Sequence, residues 1–366
     1  MNPVERAIRR VDTAQQRHRV PAFIFGVIKK YGDDNGGVLA SNLAHSAFVS
    51  VFPLLLILVT VLVQIASSSP ALQTQVLDAV SNQFPAIGKT LVGQVTAMHR
   101  SSVIGLVVGL LVLVWGATGL AQAGLFTMEQ VWNLPGPARP GYVQRLGRCA
   151  LFLGVLAVGT AVSTLLAGLV TYGHHGLAFR VLAQVLAVLA NIGLYLASFR
   201  VLTPKGVAAR DLVAGAAAGG VAWTVLLATG AYIVHHDLHS ASPYGIFATV
   251  LVLVAWIYLG VQVTVYSAEV NVVLKRRLWP RTIVQPPLAE ADRASMALQA
   301  LQNQRREEQS VEVSFTDRPP GTPAPVQTPR TPGEVAPPAP MPGAAPPPDT
   351  PGPAAAPGSD AAAPRT

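Results

Sequence analysis

VIGLVVGLLVLVWGATGLAQAGLF, residues Val103–Phe126, runs for 24 residues without a charge. A bilayer core about 30 Å thick takes ~20 mostly apolar residues in helical form, because nothing inside it can satisfy an open peptide group. The stretch therefore reads as a membrane-spanning helix, and five others of its kind accompany it. They are Ser46–Ala66, Arg148–Thr171, Val181–Val201, Leu212–Val234 and Ile246–Ala268. Pro53 falls inside the first and lacks a backbone donor, so a kink is expected there. The apolar run from Leu72 is broken by Asp78, Gln83, Pro85 and Lys89. It is too polar to span and reads as an amphipathic hairpin on one membrane surface. The expected fold is all-α: a polytopic membrane protein with six transmembrane helices over residues 46–281.

Composition agrees once it is divided. The 366 residues are 51% hydrophobic and 12% charged, against roughly 25% charged in an ordinary soluble domain. Low charge could also mark a low-complexity chain, and the distribution decides. Of the 30 prolines, 17 fall after residue 318, leaving a body of long uncharged runs. The first of these begins near residue 46, past the ~15–30 residues of a secretory signal, so the first helix is expected to stay as an anchor. Cys149 is the only cysteine. It excludes an intramolecular disulfide and reads as a small apolar residue at a helix start.

Orientation follows from the cations between spans, since Lys- and Arg-rich loops resist translocation. Residues 1–45, 127–148, 200–211 and 269–281 together carry 17 Lys and Arg, whereas 67–102, 172–180 and 235–245 carry 3. The first set is expected in the cytoplasm, with both termini. The net charge of +8 is thereby explained beside anionic headgroups. Nucleic acid is not an expected partner, because no aromatic–basic interleaving accompanies the charge.

The flanks are read separately. In the N-terminal region, 1–45, Val4–Tyr31 mixes Arg6, Arg9, Arg10, Arg17 and Arg19 with Val11, Val20, Phe23, Ile24 and Ile28. It resembles an interfacial amphipathic helix on the bilayer, with a break expected at Pro21, and a frayed cytoplasmic arm is the competing reading. In the segment 282–310, Leu288–Gln309 has the spacing of a short cytoplasmic helix. Residues 311–366 are Pro/Ala-rich without hydrophobic periodicity, and a disordered tail is expected. Pro346-Pro347-Pro348 could meet a polyproline reader, but the tail reads as solvated spacer and identifies no partner.

Polar residues cluster near the expected cytoplasmic ends of the spans. Asp33, Asp34, Asn35, Asn42 and His45 precede or enter the first. Trp115, Gln122 and Glu129 recur at seven-residue steps on the second, and Tyr258, Gln262 and Glu269 at steps of four and seven on the sixth. Such steps keep each set on one helix face. Two stripes ending in carboxylates suggest a polar vestibule lined by Asn42, His45, Gln122, Glu129, Tyr258, Gln262 and Glu269. The competing reading is helix packing, with Glu269 paired to Lys275 or Arg276. Gly215 and Gly219 form a small-xxx-small pair that permits close approach, either inside one chain or between copies in a homo-oligomer. His99, His174, His175, His235, His236 and His239 are expected on the far side. His235 and His239 have zinc-compatible spacing but no accompanying glutamate pattern, so neither metal nor cofactor is expected. No phosphate-binding glycine loop occurs.

Three motifs carry a family resemblance. Asp34-Asn35-Gly36-Gly37-Val38-Leu39-Ala40-Ser41-Asn42-Leu43-Ala44 leads to Ser50-Val51-Phe52-Pro53-Leu54. The second span ends in Glu129-Gln130-Val131-Trp132-Asn133. The last contains Tyr244-Gly245, Trp256-Ile257-Tyr258 and Ser267-Ala268-Glu269. In these the chain resembles the YihY/BrkB family of bacterial inner-membrane proteins, once described as ribonuclease BN-like, from about Arg17 to Arg281. It departs where the family has Gly-Ala-Glu in place of Ser267-Ala268-Glu269, and an aromatic in place of His45. The resemblance implies an inner-membrane location and no defined molecular activity. Metal-dependent RNA hydrolysis would need clustered acids or histidines beside the phosphate, and the cytoplasmic carboxylates lack that spacing. The expected function is non-enzymatic handling or transport of a solute, ion or lipid. An envelope scaffold recruiting partners through its flanks is the alternative.

Overall fold

In the computed structural model the described residues are 3–66, 103–172, 177–203, 206–237, 245–285 and 288–315. The hairpin expected from Leu72, Tyr244, the histidines His99, His174, His175 and His239, and the Pro-rich tail lie outside them. All regular structure among the described residues is helical. The helices are α1 (Pro3–Arg17), α2 (Arg19–Asp33), α3 (Gly36–Ala66), α4 (Val103–Val131), α5 (Tyr142–Tyr172), α6 (Leu177–Leu202), α7 (Val213–Asp237), α8 (Gly245–Arg276) and α9 (Glu290–Gln302). Single 3-10 turns, Gly136–Ala138 and Ala209–Leu212, interrupt the connections after α4 and α6.

Each long helix from α3 to α8 packs on the next in chain order, and α8 returns to α3, closing a six-membered ring. Among the described residues five windows are long and apolar enough to cross a membrane: Leu111–Val131, Tyr142–Ser163, Val181–Leu202, Ala209–Gly230 and Val250–Arg276. Only 17 to 39% of each is buried within the protein. Leu111, Val158, Leu182, Val225 and Leu251 therefore face outward, which water would penalise and hydrocarbon would not. The buried core gathers at one end of the ring. There the start of α3 (Leu39, Ala40) meets the ends of α4 (Leu125, Met128, Val131), α6 (Phe199, Leu202) and α8 (Val265, Val272, Val273).

Local chemistry sets the turns at that end. Asn35 (φ 54°), Asn133 (φ 47°) and Arg277 (φ 53°) adopt left-handed backbone after α2, α4 and α8. Asparagine tolerates this conformation better than most residues. After Arg277 the Leu278 amide reaches back to the Val273 carbonyl at 3.1 Å and the Leu278 side chain is buried, which closes α8 with a Schellman-type bond. The N-terminal segment breaks at His18, whose backbone is extended (φ −108°, ψ 125°), and not at Pro21. Pro21 sits in the first turn of α2, where a missing N–H removes no intrahelical bond. Leu288–Gln309 is helical only over Glu290–Gln302.

The glycines of α7 face inward. A Cβ at Gly215 would lie 2.1 Å from the Ser267 carbonyl oxygen of α8, and one at Gly220 would lie 2.7 Å from the Ile192 amide of α6. The small-residue pair thus serves contacts inside the chain. Ser267, where the resemblance implies glycine, is accommodated because α7 supplies the small partner: the Ser267 hydroxyl bonds its own helix at the Val263 carbonyl, 2.7 Å.

Polar side chains stitch neighbouring helices. The Ser163 hydroxyl donates to Asn191 Oδ1 at 2.7 Å, and Asn191 Nδ2 donates to Thr224 Oγ1 at 3.2 Å, linking α5, α6 and α7. Asn191→Leu is expected to lower stability by about 0.6 to 1.7 kcal/mol, the range of hydrogen bonds between helices in membranes. Thermal unfolding in detergent, compared with a Ser163→Ala, Asn191→Leu double variant, checks this.

Candidate functional site

At the core end of the ring, α2, α4, α8 and α9 bring charged side chains together. The buried face of α2 consists of Ala22, Gly26, Val27, Lys30 and Tyr31, so Lys30 lies on the small and apolar side of an amphipathic helix. Its Nζ is completely buried. It donates to Asp34, four residues on, and to the Val131 carbonyl at the end of α4 (3.3 Å), with Glu269 Oε2 of α8 at 3.7 Å. Both Glu269 oxygens are buried without a hydrogen-bond donor. Glu269 is therefore opposed by Lys30, while Lys275 pairs with Asp211 at 2.6 Å.

A second cluster clamps the segment after α8. Asp292, fully buried on α9, accepts from Lys29 Nζ (2.8 Å), Arg281 Nε (2.5 Å), the Thr282 amide (3.0 Å) and the Thr282 hydroxyl (2.6 Å). Arg281 extends its other side to Asp33 at 2.5 Å. Burial opposes ionisation of Asp292, but the bonds from Lys29, Thr282 and Arg281 outweigh it and hold the carboxyl well below the usual range. Asp12 on α1 behaves alike: burial pushes it up, and bonds from Gln16, the Ile283 amide and Gln15 bring it below its ordinary value. The Tyr31 phenol is pushed up by burial. Its ring stacks on Tyr266 at 4.0 Å, and its oxygen accepts from Gln262 Nε2 at 3.5 Å.

Between these clusters opens a cleft of about 800 Å³, walled by Asp33, Asp34, Asn35, Gln130, Arg139 and Gln302 among others. Asn133 Nδ2 bridges its back, donating to Asp34 Oδ1 (3.1 Å) and Gln302 Oε1 (2.9 Å). Glu129 is buried, with Oε1 lacking a partner and Arg139 Nε 3.9 Å from Oε2.

The residues singled out from sequence divide by position. Glu129, Glu269, Gln262, Asp34 and Asn35 lie in or against this region, and Tyr258 packs half-buried on the core. Asn42, His45, Gln122 and Trp115 are exposed, Trp115 by 71%. The α4 stripe is therefore not uniform. A seven-residue step drifts by about 20° per heptad, and only its Glu129 end meets the loop that carries Arg139. Among the motif residues, Trp132 is buried in the core, Trp256 packs against Gly230, Gly245 begins α8 and Pro53 lies within α3. Lys30, Asp292 and Arg281 escaped the sequence reading. The available signal was a lysine in phase with Ala22 and Gly26. Among the described residues no group of three or more His, Cys, Asp or Glu is placed to hold a metal.

A family model described as Virulence factor BrkB matches residues 27–291. No curated protein and no solved structure shows a match.

Proposed function

The chain belongs to the virulence factor BrkB family, and from that premise we propose a six-span inner-membrane protein that handles a polar solute, ion or lipid headgroup at its cytoplasmic face. The sixth span is α3, whose 31 residues contain no charge and which closes the ring with α4 and α8. The distribution of 17 against 3 cations supports a cytoplasmic location for the cleft end and for both termini. Val11, Val20, Ile24 and Ile28 on α1 and α2 are exposed and lie near five arginines, which supports an interfacial seat in the headgroup layer.

The observation that carries the reading is the convergence of α2, α4 and α9 on one open polar cleft, whose Asp34 belongs to a buried cluster with Lys30 and Glu269 of α8. Ionisable groups buried in a membrane protein are costly and mark solute or proton paths in many such proteins. The reading is non-enzymatic. The protein reconstituted in proteoliposomes is expected to show flux of a member of a panel of ions and small polar solutes. The Glu269→Ala, Gln262→Leu double variant is expected to abolish it. Equal flux through a folded double variant would remove this route.

A further inference from the structure

Charge inside the buried cluster does not balance: one ammonium, Lys30, faces two carboxylates, Asp34 and Glu269. Lys30 has three N–H donors. One goes to Asp34 and one to the Val131 carbonyl. The third is left for Glu269 Oε2, at 3.7 Å, too long for a hydrogen bond. Both Glu269 oxygens are thus fully buried with no protein donor, unfavourable surroundings for a full negative charge. Neighbouring elements do not relieve it. On α4, Glu129 is opposed by Arg139; before α7, Asp211 is paired with Lys275 and Arg210 is exposed. On α3, His45 is exposed, and on α6, Tyr195 bonds Thr264 at 3.1 Å.

We propose that Glu269 is a proton-binding site, loaded from the cleft through Asp34 and Lys30. A proton fits where a metal ion does not, because the Lys30 ammonium already holds the place of a cation beside the carboxylate. The cleft wall includes Asp34 but neither Lys30 nor Glu269, whose side chains are fully buried behind it. Asp34 takes a proton from a hydronium ion in the cleft, which leaves as water. Lys30 releases one of its own to a Glu269 oxygen and recovers the one on Asp34. Asp34 ends as a carboxylate, Lys30 as an ammonium and Glu269 as a carboxylic acid, with the cluster changed from one net negative charge to none. The route rests on the cleft being the water-facing mouth proposed above; the protonated carboxyl itself does not.

Infrared spectroscopy reads that carboxyl directly and is blind to solute flux, so its result and that of the proteoliposome assay fail independently. The full chain, labelled with carboxyl-13C glutamate, is placed in phosphatidylethanolamine/phosphatidylglycerol nanodiscs and titrated with and without sodium chloride. At neutral pH a protonated-carboxyl band displaced by the label is expected, lost in Glu269→Gln. Asp34→Asn is expected to weaken or remove it, because Lys30 then has Glu269 as its one carboxylate. Absence of a labelled band in folded wild-type protein overturns the proposal. So does a band that survives in Glu269→Gln, and so does one displaced by sodium. If Glu269→Gln does not fold, the wild-type band together with its response to Asp34→Asn decides.

Discussion

Gly215→Val is expected to prevent the bundle from closing. The first side-chain carbon alone would stand 2.1 Å from the Ser267 carbonyl oxygen and 2.5 Å from Asn271 Nδ2. The obstacle is partly backbone of the neighbouring helix, so no rotamer change removes it. The same glycine donates its amide to Asn271 Oδ1 at 2.7 Å, and separating α7 from α8 would break that bond too. Overpacking commonly costs about 1 to 3 kcal/mol where side chains can shift; against a carbonyl, a loss of at least about 3 kcal/mol is expected. Gly193, on α6, has nothing within 4 Å of an added Cβ. Gly193→Ala should therefore leave stability unchanged or raise it by up to about 1 kcal/mol through helix propensity. Thermal unfolding followed by size-exclusion in detergent measures both. A Gly215→Val protein as stable as wild type would refute the close contact.

Asp292→Ala is expected to release α9 from the bundle. It leaves buried Arg281 with only Asp33 and strips partners from Lys29 and Thr282. Removing one side of a buried ion pair costs about 3 to 5 kcal/mol, because the remaining charge stays uncompensated. Hydrogen exchange of the α9 amides should rise accordingly while the long helices keep their protection. The pH dependence has a defined sign. Asp292 titrates well below an ordinary carboxyl, so its stabilisation is complete above the unfolded value of ~3.9 and is lost as pH falls from there through the lowered folded value. Wild-type α9 is expected to loosen on acidification from about pH 4 downward. The variant, already loose, should show no such step, and parallel profiles for the two would disprove the clamp.

Much of this architecture could be read from single residues. Uncharged runs such as Val103–Phe126 mark long helices because hydrocarbon tolerates no open peptide group, and the motif around Asp34 and Glu129 marks the family. The helix face of a seven-residue repeat was legible as well, but not which side its neighbours would cover. Gln122 and Glu129 share a stripe, yet one is exposed and the other buried. Glu269 shows the same division. Its presence at the end of α8 was evident, whereas its partner was not: Lys275 and Arg276 are closer in sequence, but Lys30 faces it across 239 positions of chain.

Sequence by itself determined the solvent, the long apolar helices and the family, because those depend on local composition against the thickness and dryness of a bilayer. Tertiary structure decided the ring order, the clamp on Asp292 and the isolation of Glu269. Each of these depends on which side chains from distant segments exclude water together, and burial, not spacing along the chain, sets the energy of a charge.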